Sequence, residues 1–311
     1  MNKDSVFLEG VYTVVVTPFD DEDNINYFDL SRLINNQINT GVQGIILLGT
    51  TSESSTISEN EKYEIVDFVW NNFKNKINII IGIGGNNTKH VIDFGRLCYN
   101  KCNGFMVTVP YYNKPSQEGL FEHFFTIAND DILKNKEMML YNIPSRCGIN
   151  LNYEVIAQLF NTCNNIVAIK EASGSLEQIR KIKSSCNIKI YSCDDLNILP
   201  IMSIGGIGVI SVASNLIPKI ITNIVNLCSN NNFNEAQPLF YKYSNLIESL
   251  FIVSNPIPIK YLLFKNNIIN NQNVRLPLIK ISNTKTLEIL DVYVGNNYFE
   301  VNNAISEISN I

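Results

Sequence analysis

Eight short apolar runs alternate with longer segments of helical period over about 220 residues, and this alternation predicts an α/β protein of the TIM (β/α)8 barrel class. Each run is apolar on both of its alternating faces, as expected for parallel strands that are buried on both sides. A doubly wound sheet would more often have about five or six strands. The predicted strands are residues 11–17, 44–48, 77–83, 104–109, 137–141, 166–170, 188–192 and 208–212.

Helix signals lie in nearly every gap between these strands. Ser58 and Glu61 form a Ser-x-x-Glu capping box ahead of an apolar helical segment. Asn152 is a candidate N-cap for the segment that carries Val155 and Ile156. These local boundaries agree with helices that connect successive parallel strands.

The alternation of strands and helices ends after the eighth predicted strand. No further strand run follows for some distance, and segments 239–247 and 257–264 have helical period. We therefore expect a (β/α)8 catalytic barrel over residues 1–230, followed by a C-terminal helical annex and tail over residues 231–311. From about Gly295 onward the pattern allows no more than a short helix.

Composition and charge limit the classes of partner. The 311 residues are 45% hydrophobic, and 24 basic against 29 acidic residues give a net charge of −5 without a basic cluster. This balance argues against general binding to nucleic acid or to an acidic membrane and favours a small-molecule partner. No apolar run approaches the roughly 20 residues of a spanning helix, and the N-terminus lacks a signal-type pattern. We therefore expect no membrane association and a cytoplasmic location.

Neither a metal nor a nucleotide cofactor is indicated. The seven cysteines are an odd set without a Cys-x-x-Cys pair, which indicates reduced thiols. His90 and His123 are far apart and lack neighbouring ligand residues, so we predict no metal. The Gly82-x-Gly84 sequence continues to Asn87, where a dinucleotide fingerprint requires glycine or alanine, so we predict no nicotinamide or flavin.

Lys170 carries the strongest indication of chemistry. It follows the apolar run 166–169 and precedes Glu171, so the barrel places it at the carboxyl end of the sixth strand, where TIM barrels build their sites. Apolar walls there would lower the pKa of the amine and leave it neutral, able to form a Schiff base with a ketone. The alternative is a solvated lysine at a strand end, since lysines usually lie at surfaces.

Small polar residues follow the second strand and are expected at the same face of the barrel. The run 49–54 offers backbone N–H groups and the hydroxyls of Thr50 and Thr51, a set that suits a carboxylate. The alternative is an ordinary loop rich in glycine, serine and threonine.

Aromatic hydroxyls and a cation follow the fourth and fifth strands. Tyr141 is suited to act as a general acid and base beside an amine, and Arg146 can bind a second carboxylate through two parallel hydrogen bonds. The adjacent Tyr111 and Tyr112 should diverge, one toward the site and the other toward a subunit contact. A satisfied core tyrosine and an arginine paired with a surface acid are the alternatives.

Together these residues are similar to those of the dihydrodipicolinate synthase family, within the larger group of pyruvate-dependent lyases that includes N-acetylneuraminate lyase. The setting Ser145-Arg146 favours the synthases over the sugar-acid lyases. The matching stretches run in order through nearly the whole chain, at residues 17–19, 49–54, 110–113, 115–119, 141–148, 169–174, 208–212, 255–260 and 275–277.

The resemblance implies Schiff-base chemistry without a separate cofactor. Lys170 would form an imine with pyruvate, and loss of a methyl proton would give an enamine that attacks an aldehyde. Thr50 and Thr51 would hold the pyruvate carboxylate. Arg146 would receive the carboxylate of L-aspartate 4-semialdehyde, and Ile210 would line the site through its backbone.

The resemblance also implies a homo-oligomer. Tyr141, Thr51 and Tyr112 match the family's hydroxyl relay, in which Tyr112 would come from a neighbouring subunit. Related enzymes often assemble as tetramers, so we expect a homotetramer whose assembly completes the active site.

Three residues depart from the family pattern. Ser52 stands where the family usually has glycine, which adds a side chain beside the carboxylate loop. Cys147 replaces the usual threonine after the arginine, and Cys193 replaces a glycine in the turn after the seventh strand. These changes bear on the second substrate more than on pyruvate.

The leading hypothesis is a synthase that joins pyruvate and L-aspartate 4-semialdehyde to give 4-hydroxytetrahydrodipicolinate, a step toward diaminopimelate and lysine. The first alternative is a lyase that cleaves a sugar acid such as N-acetylneuraminate to pyruvate and an aldehyde, which would need a roomier, hydroxyl-rich pocket. The second is a catalytically silent barrel that acts as a binding protein. Such a barrel has no reason to keep the lysine, tyrosines and threonines together.

Overall fold

Eight parallel strands close into a barrel in the computed structural model, which describes residues 5–295. Each strand is hydrogen-bonded to the next one in the chain, and the eighth pairs with the first. The predicted TIM barrel is thus confirmed. The strands are β1 (Gly10–Val14), β2 (Gly44–Leu47), β3 (Asn78–Gly82), β4 (Gly104–Thr108), β5 (Met138–Asn142), β6 (Ile166–Glu171), β7 (Lys189–Ser192) and β8 (Gly208–Ser211).

Helices fill the gaps between the strands and bury their apolar faces; on the first helix, for example, Leu33 and Ile34 are fully buried. None of the described helices is long and apolar enough to cross a membrane. They are α1 (Tyr27–Asn39), α2 (Glu59–Phe73), α3 (Thr88–Cys98), α4 (Gln117–Ala128), α5 (Pro144–Cys147), α6 (Tyr153–Thr162), α7 (Leu176–Ser185), α8 (Ile198–Ser203), α9 (Pro218–Ser229), α10 (Phe233–Ser249), α11 (Ile257–Lys265) and α12 (Thr284–Asp291).

Strand β1 ends at Val14 rather than at residue 17, where its apolar run ends. The N–H of Val16 donates to the side-chain oxygen of Asn215 at 3.2 Å instead of to a neighbouring strand. Val15 and Val16 are nevertheless at most 1% exposed. The apolar pattern therefore indicates burial, and burial continues beyond the last residue that pairs with a neighbouring strand.

The two predicted helix caps differ in outcome. At α2 the N–H of Glu61 donates to Ser58 Oγ at 3.4 Å, and the N–H of Ser58 donates to Glu61 Oε2 at 2.8 Å, so the capping box is confirmed. At α6 Asn152 occupies the N-cap position without a capping bond, so the predicted cap is wrong. The side-chain oxygen of Asn152 accepts instead from Asn150 Nδ2 at 3.2 Å.

Three helices follow the barrel within the described part of the chain. The structure places α10 and α11 over the two segments of helical period, whereas α12 was not predicted. Only Leu290 is buried on α12, too few apolar positions to give a periodic signal. The division into residues 1–230 and 231–311 stays a prediction, and the short helix considered beyond Gly295 lies outside the described residues.

A buried ion pair joins this C-terminal part to the loop after β2. Lys260 Nζ on α11 lies 2.5 Å from Glu53 Oε1, and both side chains are at most 1% exposed. The amine also donates to Asn273 O at 2.6 Å, and the N–H of Arg275 donates to Glu53 Oε2 at 3.0 Å. Burial lowers the pKa of Lys260 to about 8, although the attraction of Glu53 opposes this shift. The pair fixes Glu53, two residues after Thr51 in the loop.

Removing the cation of this pair should destabilise the protein strongly. We expect Lys260→Met to lower the free energy of unfolding by about 3–5 kcal/mol, because it leaves the Glu53 carboxylate buried without its counter-ion. The double variant Lys260→Met/Glu53→Gln should recover part of the loss, since it removes the uncompensated charge. Urea denaturation followed by circular dichroism measures both.

The control for this prediction is Lys62→Met, which breaks an ion pair of 2.7 Å whose Glu59 partner is 49% exposed. That variant should lose no more than about 1 kcal/mol. Equal losses in Lys62→Met and Lys260→Met would show that the buried pair does not anchor the loop.

Candidate active site

A cavity of about 760 Å³ is lined by residues that follow several different strands. Its lining includes Thr50, Thr51, Tyr141, Arg146 and Lys170. These residues come after β2, from the end of β5, from α5 and from the end of β6. The cavity therefore lies at the carboxyl end of the barrel, where the sequence predicted the site.

Lys170 is buried at this cavity, with a residue exposure of 5%. It pairs with Tyr141 across β5 and β6, and its Nζ lies 4.1 Å from the centroid of the Tyr141 ring. Burial lowers the pKa of the amine, and Cys193 and Asp195 oppose that shift. The alternative of a solvated lysine is wrong. A neutral amine has a free electron pair and can act as a nucleophile.

Tyr141 is 3% exposed, and its hydroxyl lies 3.6 Å from Cys193 Sγ. Burial, reinforced by Cys193, raises the pKa of the phenol well above its ordinary value, while Arg146 and Thr50 act in the opposite direction. The hydroxyl therefore keeps its proton near neutral pH and is a hydrogen-bond donor in the cavity.

The loop after β2 presents two hydroxyls to the cavity. Thr51 is buried, and its Oγ1 accepts a hydrogen bond of 2.9 Å from Asn255 Nδ2. Because the amide nitrogen is a donor only, the proton of the Thr51 hydroxyl stays available for an acceptor in the cavity. Thr50 lines the same cavity and is half-buried. The pair can thus donate to an anionic group.

The extra side chain of Ser52 lies away from the cavity. Its hydroxyl donates to Val15 O at 2.6 Å, and its own carbonyl accepts from Thr17 Oγ1 at 2.8 Å. Ser52 is 2% exposed and is not among the residues that line the cavity. The residue that replaces the family's glycine therefore packs against β1 and its extension.

Arg146 lies on the short helix α5, where it is exposed and lines the cavity. Within residues 5–295, no acid lies at ion-pair distance from its guanidinium. The alternative of a pairing with a surface acid therefore finds no support in the described structure. Its five N–H donors can bind a carboxylate at the rim.

Two predicted site residues, Tyr112 and Ile210, are not among the residues that line this cavity. Tyr112 is 88% exposed on the surface with a φ of 74°, and Tyr111 is 44% exposed. Ile210 is fully buried within β8, whereas Val212 lines the cavity just beyond it. The structure thus brings together the lysine, Tyr141, both threonines and Arg146 in one chain.

Sequence reasoning missed two buried carboxylates beside Lys170. Asp195 is fully buried and accepts from Ser211 Oγ at 2.5 Å and from the N–H of Val212 at 2.9 Å. Burial raises the pKa of Asp195 to about 6, and these hydrogen bonds oppose the shift. The rule that polar residues after a buried strand meet at one face could have found it, since it lies three residues beyond β7.

Glu171 is the second of these carboxylates, next to Lys170 at the end of β6. It is 2% exposed, lines the cavity and accepts hydrogen bonds from Asn142 Nδ2 at 3.1 Å, Gln178 Nε2 at 3.0 Å and the N–H of Ser173 at 2.6 Å. These donors satisfy the charge and hold the end of β6 in place. Sequence pattern alone offers no signal for such a network.

The assembled groups suit the covalent chemistry of a keto acid. An amine whose pKa is lowered by burial, a phenol whose pKa is raised by burial and two hydroxyls share one cavity with a permanent cation at its rim. Across residues 5–295, no group of three or more His, Cys, Asp or Glu side chains is arranged to hold a metal ion. The amine of Lys170 and the phenol of Tyr141 are suited to nucleophilic and acid–base roles.

Comparisons with known proteins agree over most of the chain. The Dihydrodipicolinate synthetase family matches residues 7–293. The 4-hydroxy-tetrahydrodipicolinate synthase of Endomicrobium trichonymphae is 41% identical over 283 residues, which cover 90% of this chain and 95% of that relative. The enzyme of the same name from Leptospira biflexa is 40% identical over 277 residues, which cover 88% of this chain and 92% of that relative.

A solved structure is similar over nearly the whole chain. The 4-hydroxy-tetrahydrodipicolinate synthase from the methanotroph Methylacidiphilum fumariolicum superposes with a TM-score of 0.89 at 34% identity, covering 97% of this chain and 98% of that one. The predicted family is confirmed. The chain therefore belongs to the dihydrodipicolinate synthetase family.

Proposed function

We propose that Lys170 forms an imine with pyruvate and that the derived enamine attacks L-aspartate 4-semialdehyde to give 4-hydroxytetrahydrodipicolinate, a step toward diaminopimelate and lysine. The predicted activity, a lyase of the 4-hydroxy-tetrahydrodipicolinate synthase type, is confirmed by relatives of that name that match 88% or more of this chain. The assignment to Lys170 rests on its buried amine, held over the Tyr141 ring at the cavity.

Imine formation makes the methyl group of pyruvate acidic. The neutral amine of Lys170 attacks the ketone carbon, water leaves, and the resulting iminium accepts the electron pair when a methyl proton is lost. The enamine carbon then bonds to the aldehyde carbon of the second substrate, and the aldehyde oxygen takes up a proton. The amino group of that substrate attacks the iminium carbon and displaces the Lys170 nitrogen, which closes the ring and restores the free amine. Because the imine itself stabilises the electron pair, this route calls for no separate cofactor.

The surrounding hydroxyls would orient pyruvate and handle its protons. Thr50 and Thr51 would donate to the carboxylate of the keto acid, a role supported by the free hydroxyl proton of Thr51. Tyr141 would act as the general acid and base beside Lys170. Val212, just beyond β8, would complete the wall of the site in place of Ile210.

Arg146 would bind the carboxylate of the second substrate. Its exposed position at the rim, without an acid partner among residues 5–295, supports this role. A sugar-acid lyase would need several hydroxyl contacts for its larger aldehyde, and a single arginine does not supply them. A silent binding barrel would not need a lysine buried in the nucleophilic state.

Assembly into a homo-oligomer, expected to be a tetramer, would complete the hydroxyl relay. Tyr112 is 88% exposed and outside the cavity of its own chain, which is consistent with a role in the cavity of a neighbouring subunit. Thr51 and Tyr141 would then be joined to solvent through that phenol. The cytoplasmic location stays a prediction.

The imine can be trapped by borohydride reduction in the presence of pyruvate. Mass spectrometry should find the adduct on Lys170, and Lys170→Ala should lose the adduct and at least about a thousandfold of the condensation rate. The adduct rate should rise with pH to an inflection below the ordinary lysine pKa of about 10.4, because burial favours the neutral amine. The control is Lys183→Ala, an exposed lysine on α7. An unchanged adduct in Lys170→Ala would contradict the proposal.

Loss of the Arg146 cation at the rim should affect the reaction of the second substrate more than that of pyruvate. We expect Arg146→Ala to slow condensation about 10- to 100-fold, while the rate of the pyruvate adduct changes by less than about threefold. Steady-state assays with L-aspartate 4-semialdehyde and timed borohydride trapping measure the two steps. Arg180→Ala, on the exposed face of α7, is the control. Equal losses in both assays would assign Arg146 to pyruvate instead.

Mixed oligomers can test whether Tyr112 acts in a neighbouring subunit. Tyr112→Phe and Lys170→Ala should each be impaired alone, but coexpression should regenerate intact sites that take Lys170 from one chain and Tyr112 from another. Random mixing of equal amounts would restore about a quarter of the sites. Activity of the purified mixture no greater than the sum of the two separate variants would show that the phenol does not act across a subunit contact.

A further inference from the structure

Cys193 lies at the active-site cavity, yet the proposed mechanism assigns no role to it. The residue follows β7 directly, is half-buried and lines the same cavity as Lys170 and Tyr141. The family pattern usually has glycine here, so the thiol is an additional functional group. Its sulfur is within reach of both catalytic candidates.

The thiol lies close to both the phenol and the amine. Cys193 Sγ lies 3.6 Å from the hydroxyl of Tyr141, with either atom able to donate, and the nearby thiol opposes the lowering of the Lys170 pKa by burial. The amine itself lies over the face of the Tyr141 ring, 4.1 Å from the centroid. An amine in that position faces the π electrons of the ring rather than its hydroxyl.

This arrangement leaves the thiol as the bridge between the two groups. A thiol is both a donor and an acceptor, so it can take a proton from one neighbour while giving its own to the other. Burial lowers the pKa of Lys170 and raises that of Tyr141, so it favours the neutral form of both groups. A proton relayed through a neutral S–H leaves no lasting charge on these buried groups, where an isolated ion would be costly.

We propose that the Cys193 thiol carries a proton between Lys170 and Tyr141 while the imine forms, and is thus a further catalytic residue of this chain. As the nitrogen attacks the ketone carbon, a C–N bond forms and the π pair of the C=O bond moves to oxygen. The nitrogen gives a proton to Sγ, the thiol gives its proton to the phenol oxygen, and the phenol gives its proton to the former ketone oxygen. The thiol and the phenol are restored, and the product is the neutral carbinolamine.

The inference rests on the proposed imine at Lys170, and the rate of adduct formation tests it separately from the existence of the adduct. Pyruvate is mixed with the parent, Cys193→Ser or Cys193→Ala, borohydride is added at timed intervals, and the reduced Lys170 peptide is quantified by mass spectrometry. We expect Cys193→Ala to slow the adduct about tenfold and Cys193→Ser to stay within about threefold of the parent, because serine keeps a donor and an acceptor. The final amount of adduct should be the same in all three.

The matched control is Cys186→Ala, which removes the other half-buried thiol, at the end of α7. That variant should form the adduct at the parent rate. The remaining five cysteines are buried, so in the Cys186→Ala variant a thiol reagent can modify Cys193 selectively. Blocking of this thiol with methyl methanethiolsulfonate should slow adduct formation, and dithiothreitol should restore the rate. This test needs no substitution at Cys193.

Three results would overturn the role of Cys193. They are an adduct rate in Cys193→Ala equal to that of the parent, equal slowing in the serine and alanine variants, and no effect of thiol blocking. Absence of any adduct on Lys170 in the parent would instead overturn the proposed imine. The two proposals therefore fail on different observations.

Discussion

The site depends on the removal of water from the amine of Lys170. Burial lowers the pKa of this amine, and the same exclusion of water raises the pKa of Tyr141 well above its ordinary value and that of Asp195 to about 6. The shifts differ in sign, but each one favours the uncharged form. Lys170 and Tyr141, which line the cavity, can therefore exchange protons without first losing a charge.

The exposed cation of Arg146 lies apart from the buried amine and phenol, and this separation suits the proposed substrates. Arg146 is exposed at the rim, whereas Lys170 and Tyr141 lie deeper, at most 5% exposed. Both proposed substrates carry a carboxylate. Thr50 and Thr51 can bind one carboxylate with neutral donors, and the guanidinium can bind the other with a full positive charge. In the proposed reaction, the buried amine would carry out the covalent step at the ketone, while the charged rim would select the partner aldehyde.

Much of this arrangement could be predicted from sequence, because in a barrel the ends of apolar runs meet at one face. That rule located Lys170 and Tyr141, although it could not show that Cys193 lies 3.6 Å from the phenol. It also could not reveal Asn255, which contacts Thr51 from 204 positions away along the chain. Such a contact is set by the packing of the C-terminal helices, and no local spacing encodes it. The same rule gives no role to Tyr112, which is exposed on the surface and whose proposed function would depend on another chain.

The C-terminal helices belong to the catalytic apparatus because they hold a strained turn. Leu48 and Glu53, on either side of the two threonines, have φ of 58° and 57°, and each such non-glycine residue costs about 1–3 kcal/mol. Gly82 leaves room for this turn, since a Cβ there would lie 2.6 Å from Leu48 O. That close approach, rather than a dinucleotide, accounts for this glycine of the Gly-x-Gly sequence. The buried pair with Lys260 holds Glu53, so α11 helps to maintain the conformation in which the two threonines line the cavity.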